Sequence, residues 1–286
     1  MTERESMKID LTGRRVLVTG GSRGIAAEIV RMCARSGASV AVNHSAAADQ
    51  RAGHPDAASD LVAELRAEGA EVEAIEADLL DPNGPAELVE RALDRFGTID
   101  IAVLSAALQI NKRFLEQTQS DVELQLRLNI TANIRILQGL IPAMRASGWG
   151  RIVTIGSVQE VAPSAQMPVY AMTKAALENL VRNLAVENAP YGITVNNVAP
   201  GLVQTDRNAR LRNDMAVWRE FSANANPLGR AGLPGDIAGV VVFLASDAAA
   251  FITGATIYAT GGSHIPLGRV PANRPDPEPA VPLAAT

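Results

Sequence analysis

The strongest constraint on this chain is an alternation that begins near its N-terminus and runs to residue 260. Strand-like runs rich in Val, Ile, Leu and Ala occupy 15–19, 39–43, 72–77, 99–105, 151–157, 193–199 and 256–260. Stretches of helical periodicity lie between them at 24–36, 56–68, 85–96, 120–146, 169–187 and 236–244. Strands that each return through a helix pair in parallel by right-handed crossovers. The expected fold class is therefore α/β, a doubly wound parallel sheet with helices on both faces. Composition agrees: 47% of residues are hydrophobic but only 3% aromatic, so small aliphatic side chains must fill the interior, as in buried parallel strands. One domain over 1–265 accommodates the pattern, and the proline-rich residues 266–286 read as a tail. Residues 45–55 read as a loop longer than a strand-to-helix connection needs, and 204–226 read as a lid with its own helical pattern.

Several classes of function are disfavoured. The net charge is −5 and no basic cluster stands out, whereas a nucleic-acid surface needs clustered Arg and Lys. The single cysteine, Cys33, allows no internal disulfide and reads as a small core residue rather than a reactive thiol. His44, His54 and His264 lack metal-ligand spacing, so no metal site is expected. The N-terminus is polar and charged, unlike a secretory leader, and no apolar run could span a bilayer, so a cytoplasmic location without membrane association is expected.

The first strand runs into Thr19-Gly20-Gly21-Ser22-Arg23-Gly24-Ile25-Ala26, which opens a helix. A turn this tight needs residues without Cβ clashes, and it aims backbone N–H groups and the positive helix end at a pyrophosphate. Its place in the first βαβ unit is the context that a dinucleotide-binding turn requires. Asn43 ends the second strand, where an acid would accept from an adenosine ribose 2′-hydroxyl and repel a 2′-phosphate. No acid is there, while Arg23 lies in the turn and His44 follows Asn43. A guanidinium suits a phosphate, which favours NADP(H) over NAD(H). The competing reading is a solvated Arg23 with Asn43 bonding an ordinary ribose.

Tyr170 and Lys174 are four apart in a helical stretch, hence on one face one turn apart. The chain has three tyrosines and three lysines, so accidental Tyr-x-x-x-Lys spacing has a chance of only about 3%. The residue types suit proton exchange with an alcohol. A phenol titrating near ~10 is a poor base at neutral pH, and a neighbouring ammonium favours its phenolate. Ser157, at the end of the preceding strand, can donate to an oxygen that becomes alkoxide-like.

On these motifs the chain resembles the short-chain dehydrogenase/reductase superfamily, over about residues 11–265. The family's T-G-x-x-x-G-x-G turn corresponds to 19–26, its Ser to Ser157, thirteen residues before the Tyr, and its Tyr-x-x-x-Lys to Tyr170 and Lys174. The resemblance implies a Rossmann fold, a homotetramer packed through residues 120–146 and 169–187, and a fourth catalytic residue, Asn129, holding a water in a relay to Lys174. It also implies cofactor contacts from Gly20, Ser22, Arg23, Gly24 and Ile25, from Asp78 and Leu79 near the adenine, and from Ser105 and Ala106. After the Pro200-Gly201 element, itself an implied cofactor contact, Val203 and Thr205 would meet the nicotinamide amide, and Tyr170 and Lys174 are implied as cofactor contacts too. Two positions depart from the pattern. Ala26 replaces the last glycine, and Leu104-Ser105-Ala106-Ala107 replaces Asn-Asn-Ala-Gly, where Ser105 supplies only part of the second Asn's hydrogen bonding.

The implied reaction interconverts a ketone and a secondary alcohol of a small molecule. Gln109, Asn111, Gln159 and Glu160 read as the substrate side, a polar set that suits a sugar, polyol or sugar acid. Two alternatives stand beside it. A 3-oxoacyl-carrier-protein reductase would need a basic docking patch, for which Arg207, Arg210 and Arg212 are the candidates. A nucleotide-sensing regulator would carry a broken Ser/Tyr/Lys set, and here the set is complete.

Overall fold

The computed structural model describes residues 9–266 of the 286. Among them, seven parallel strands form one sheet in the order β3-β2-β1-β4-β5-β6-β7. These are β1 (Arg15–Val18), β2 (Ser39–His44), β3 (Val72–Glu76), β4 (Ile101–Leu104), β5 (Gly150–Ile155), β6 (Ile193–Pro200) and β7 (Thr256–Ala259). The helices are α1 (Gly24–Arg35), α2 (Ala46–Arg51), α3 (Ala57–Ala67), α4 (Gly84–Phe96), α5 (Gln119–Leu126), α6 (Asn133–Ser147), α7 (Pro168–Asn188), α8 (Met215–Asn224) and α9 (Pro234–Ala245). The doubly wound α/β architecture is thus present, and the tail lies outside the described residues, apart from Pro266.

Side-chain alternation along the strands divides the interior into two layers. Val16 and Val18 of β1 point with Val40, Val42, Ile101 and Val103 into a core closed by α1, α3 and α9. Leu17, Ala41, Ala102 and Leu104 point the other way, toward α4, α6 and α7. Cys33 is buried in the first layer, where burial pushes its thiol up to about 12, as a core residue requires.

Two elements differ from expectation. Residues 45–55 are not all loop: Ser45 accepts a hydrogen bond from the Ala48 N–H and caps the short helix α2. The expected single helix over 120–146 is split, because residues Arg127–Ala132 form a π-helical turn between α5 and α6. Such a turn loosens the regular ladder and re-aims the side chains it carries.

The strand-to-helix turn is fitted tightly onto the sheet. Gly20 has φ +61, and a Cβ there would lie 3.1 Å from Ala106 Cα. A Cβ at Gly21 would lie 2.8 Å from Val42 Cγ1 and 3.2 Å from the Val18 carbonyl. The Gly21→Ala variant is therefore expected to lose about 1–3 kcal/mol of stability in urea unfolding. An unchanged midpoint would mean that the turn is not packed as described.

Candidate active site

The C-terminal ends of the strands form one rim, where open parallel sheets bind ligands. Thr19 leaves β1 fully buried, and its Oγ1 accepts from the backbone N–H groups of Ser105 (2.9 Å) and Ala106 (3.1 Å). This bond joins the turn to the exit of β4, so Ser105 acts through its backbone. Beyond it, α1 begins at Gly24 with no side chain capping its N-terminus. Uncapped N–H groups and the positive helix end suit a pyrophosphate. A Cβ at Gly24 (φ +58) would meet nothing closer than Thr205 at 3.6 Å, so the segment after β6 lies across the same turn. Ala26 is buried among the α1–α9 core side chains, and the methyl in place of glycine is accommodated there. These features fit a dinucleotide phosphate cradle.

Several expected contacts are placed otherwise. Asn43 does not face outward toward a ribose. It is 2% exposed, accepts from the Gly20 N–H at 3.2 Å and donates to the Ala77 carbonyl at 3.1 Å. Its amide braces the turn against β3. Arg23 is not free: its Nε donates to Asp49 at 2.7 Å, and Ser22 Oγ donates to the same oxygen at 2.8 Å. His44 Nδ1 lies 3.5 Å from the other Asp49 oxygen. Asp78 is exposed after β3, where it accepts from the Leu80 N–H, and Leu79 is buried beside it. Pro200 ends β6, Gly201 packs against Thr260, and Val203 is buried, bridging to Gly232.

Lys174 ties α7 to the end of β5, two residues before Ser157, and Asn129 ties the π turn to α7 through Thr173. Lys174 is 2% exposed, donates from Nζ to the Ile155 carbonyl at 2.6 Å and lies 5.8 Å from the Tyr170 ring centroid. Burial lowers its pKa below the ordinary lysine value, Tyr170 counteracts this, and the guanidinium of Arg207 adds to the lowering. Asn129 is fully buried, and its amide is spent: it accepts from the Leu108 N–H and donates to the Leu108 carbonyl and to Thr173 Oγ1. Thr173 in turn donates to the Tyr170 carbonyl at 2.7 Å. Thr173 was missed in the sequence, although it stands inside the Tyr-x-x-x-Lys motif. Ser157 Oγ accepts from the Gln159 N–H at 3.2 Å, which leaves its proton free to donate.

The mouth of the site is polar. Arg207, from the segment after β6, donates to Gln109 Oε1 at 2.9 Å, and Gln109 donates to Asn111. Gln159 Oε1 is buried with no hydrogen-bond partner. Glu160, expected on the substrate side, instead turns inward beneath Ser157. It accepts from the Ser157 N–H at 2.9 Å and from Asn197 Nδ2 at 3.0 Å, in space left by the missing side chain of Gly156.

Known proteins share this fold and much of this sequence. A family model described as enoyl-(acyl carrier protein) reductase matches residues 20–264. An L-rhamnose 1-dehydrogenase (NAD(P)(+)) of Azotobacter vinelandii is 35% identical, over 90% of this chain and 99% of that protein. A 3-oxoacyl (acyl-carrier-protein) reductase from Agrobacterium tumefaciens C58, solved with NADP bound, superposes with a TM-score of 0.84 at 37% identity, covering 91% of this chain and 98% of the other. The L-sorbose reductase of Gluconobacter frateurii, complexed with NADPH and L-sorbose, gives a TM-score of 0.84 at 28% identity over 91% and 100% of the two chains.

Burial pushes Glu160 up to about 7 from its ordinary 4.5, against the lowering effect of the Ser157 N–H. The folded chain thus holds a proton that the unfolded chain has released above about pH 4.5. Stability from the protonated form is fully present below that pH and lost as pH rises through 7. Replacing Glu160 by Gln should remove about 1–3 kcal/mol of pH-dependent loss between pH 5 and 8, read from urea unfolding of variant and wild type. Parallel pH profiles for the two proteins would contradict this.

Proposed function

Because the chain belongs to the short-chain dehydrogenase/reductase family, we propose that it interconverts a ketone and a secondary alcohol at the site built by Ser157, Tyr170 and Lys174. The observation that carries this is the buried amino group of Lys174, fixed to the Ile155 carbonyl and beside the Tyr170 ring. The chain is an NAD(P)-dependent oxidoreductase, and the dinucleotide, when bound, would supply or accept the hydride. Gly20, Ser22, Gly24 and Ile25 would hold its pyrophosphate at the start of α1. Asp78, Leu79, Ser105 and Ala106 would flank its adenosine side, and Pro200, Gly201, Val203 and Thr205 its nicotinamide side.

In the reducing direction Tyr170 gives its phenolic proton to the substrate oxygen, and in the oxidising direction it takes that proton back. Lys174 offsets the negative charge left on the phenol. Ser157, with one lone pair engaged by Gln159, donates its proton to the oxygen that becomes alkoxide-like. Asn129 is best assigned as a positioning residue. Both N–H donors of its side chain are committed to Leu108 and Thr173 and its backbone carbonyl accepts from Asn133, so its side chain serves first to fix the π turn against α7.

For the substrate we favour a polyhydroxylated carbonyl compound or alcohol. The side-chain oxygen of Gln159, buried without a hydrogen-bond partner, offers an acceptor to a hydroxyl group, and the relatives named for L-rhamnose and L-sorbose support the same class. The 37% identity to a 3-oxoacyl (acyl-carrier-protein) reductase favours the second reading. Against it, Arg207 bonds Gln109 and Arg212 bonds the Thr205 carbonyl, so two of the three arginines of the suggested docking patch are engaged within the protein. NADP(H) over NAD(H) draws support from relatives solved with NADP and NADPH, but the commitment of Arg23 to Asp49 weighs against it. A homotetramer joined through α5, α6 and α7 is also proposed, supported by the exposed apolar Met172 and Val186 on α7.

Tyr170→Phe should reduce turnover with L-rhamnose or L-sorbose by about 10²–10⁴-fold, followed at 340 nm, while dinucleotide binding persists. A variant with full turnover would overturn the assignment. Light scattering on the purified chain should give four subunits per particle, and a monomer would rule out the tetramer.

A further inference from the structure

The corner between the glycine turn and the end of β2 carries a feature that the reaction does not use. Ser22 Oγ, Arg23 Nε and the ring of His44 converge on one carboxylate, that of Asp49 in α2. Ser22 and Arg23 both donate to Oδ1, at 2.8 and 2.7 Å. Asp49 is only 1% exposed, and neither its Oδ2 nor His44 Nδ1 has a hydrogen-bond partner, although the two lie 3.5 Å apart. A hydroxyl, a guanidinium and an imidazole around one centre make a donor set for an anion with more than one oxygen. Here the anion is supplied by the chain itself.

The carrier of that anion is a six-residue helix in a segment longer than the connection from β2 to α3 needs. It starts at the Ser45 cap, one residue after His44, and the segment reaches on to His54, whose Nε2 lies 4.0 Å from Asp206 in the lid. The donors lie in the turn at the start of α1 and at the end of β2, the two elements that flank the adenosine ribose in this fold class. A phosphate on that ribose would compete with the Asp49 carboxylate for the same donors, and the two anions cannot share them without strong repulsion. A ribose with a free 2′-hydroxyl brings no charge and has no need to displace it.

We propose that Asp49 is an internal anion occupying the pocket of Ser22, Arg23 and His44, and that a 2′-phosphorylated dinucleotide binds only by displacing it. Asp49 is then a specificity-determining residue that selects against NADP(H) relative to NAD(H). The proposal rests on the dinucleotide-binding reading of the glycine turn.

The test is direct binding, without turnover. NAD⁺ and NADP⁺ are titrated separately by isothermal calorimetry into the wild type, Asp49→Asn and Asp49→Ser, with circular dichroism to establish that each variant is folded. Removing the charge should raise the ratio of NADP⁺ to NAD⁺ affinity by about tenfold or more in both variants, mainly through tighter NADP⁺ binding. A ratio that stays within about twofold, or that moves toward NAD⁺, would overturn the role of Asp49. Should both substitutions at Asp49 prevent folding, the wild type alone gives an independent reading: NAD⁺ should bind at least about threefold more tightly than NADP⁺, and NADP⁺ binding as tight as or tighter than NAD⁺ would overturn the proposal. Failure of the wild type to bind either dinucleotide would instead sink the reading on which the proposal rests.

Discussion

A buried ammonium organises the centre of this protein. Lys174 is withdrawn from water, a position that costs several kcal/mol unless the charge is met by fixed partners. The Ile155 carbonyl meets it at 2.6 Å, the Tyr170 ring lies beside it, and Glu160 lies near enough to influence its titration. Because the partner is a backbone carbonyl at the end of β5, the bond fixes α7 against the sheet at one register. Ser157, two residues beyond Ile155, and Tyr170, one turn before Lys174, are thereby carried to the same rim. The Asn129–Thr173 bond adds a second tie to α7, from the π turn that carries Asn129.

The glycine turn is held by comparable economy of donors. Thr19 Oγ1 takes two N–H groups from the exit of β4, and Asn43 takes the Gly20 N–H from beneath. Both side chains are consumed in shaping the backbone, and the α1 N-terminus is left without a side-chain cap. The polar residues nearest the ligand corner, Ser22, Arg23 and His44, are by contrast engaged with Asp49, a residue brought in by an extra segment rather than by the turn itself. Under the proposed function, rigid elements would carry the phosphate cradle and the proton-transfer groups, and the added segments at 45–55 and 204–226 would lie where cofactor and substrate are chosen.

The features legible in the sequence are those with a local signature. Alternating apolar runs predicted the parallel sheet, and the spacing of Tyr170 and Lys174 placed both on one helical face. The readings that went astray depend on where a side chain turns after the backbone is built. Asn43 stands at the predicted strand end but points under the turn, because its amide can satisfy Gly20 and Ala77 at once. Glu160 follows Ser157 in sequence, yet Gly156 opens room for it to fold inward onto Asn197. Asp49 gave no spacing signal, since its partners lie 26 and 27 residues upstream in the turn. The break at Asn129 was also hidden, because the bonds that accompany it run to Leu108, 21 residues upstream.

Hydride transfer at one carbon–oxygen bond, under the control of this buried centre, is tested most directly by following a label rather than a rate. The purified chain is incubated with reduced dinucleotide carrying deuterium at both C4 positions of the nicotinamide, with L-sorbose and a 3-oxoacyl thioester as separate acceptors, and each product is analysed by mass spectrometry. Deuterium is expected on the new carbinol carbon of the sugar-derived alcohol. An alcohol product formed without the label, or no reduction of either acceptor, would contradict hydride transfer at this site.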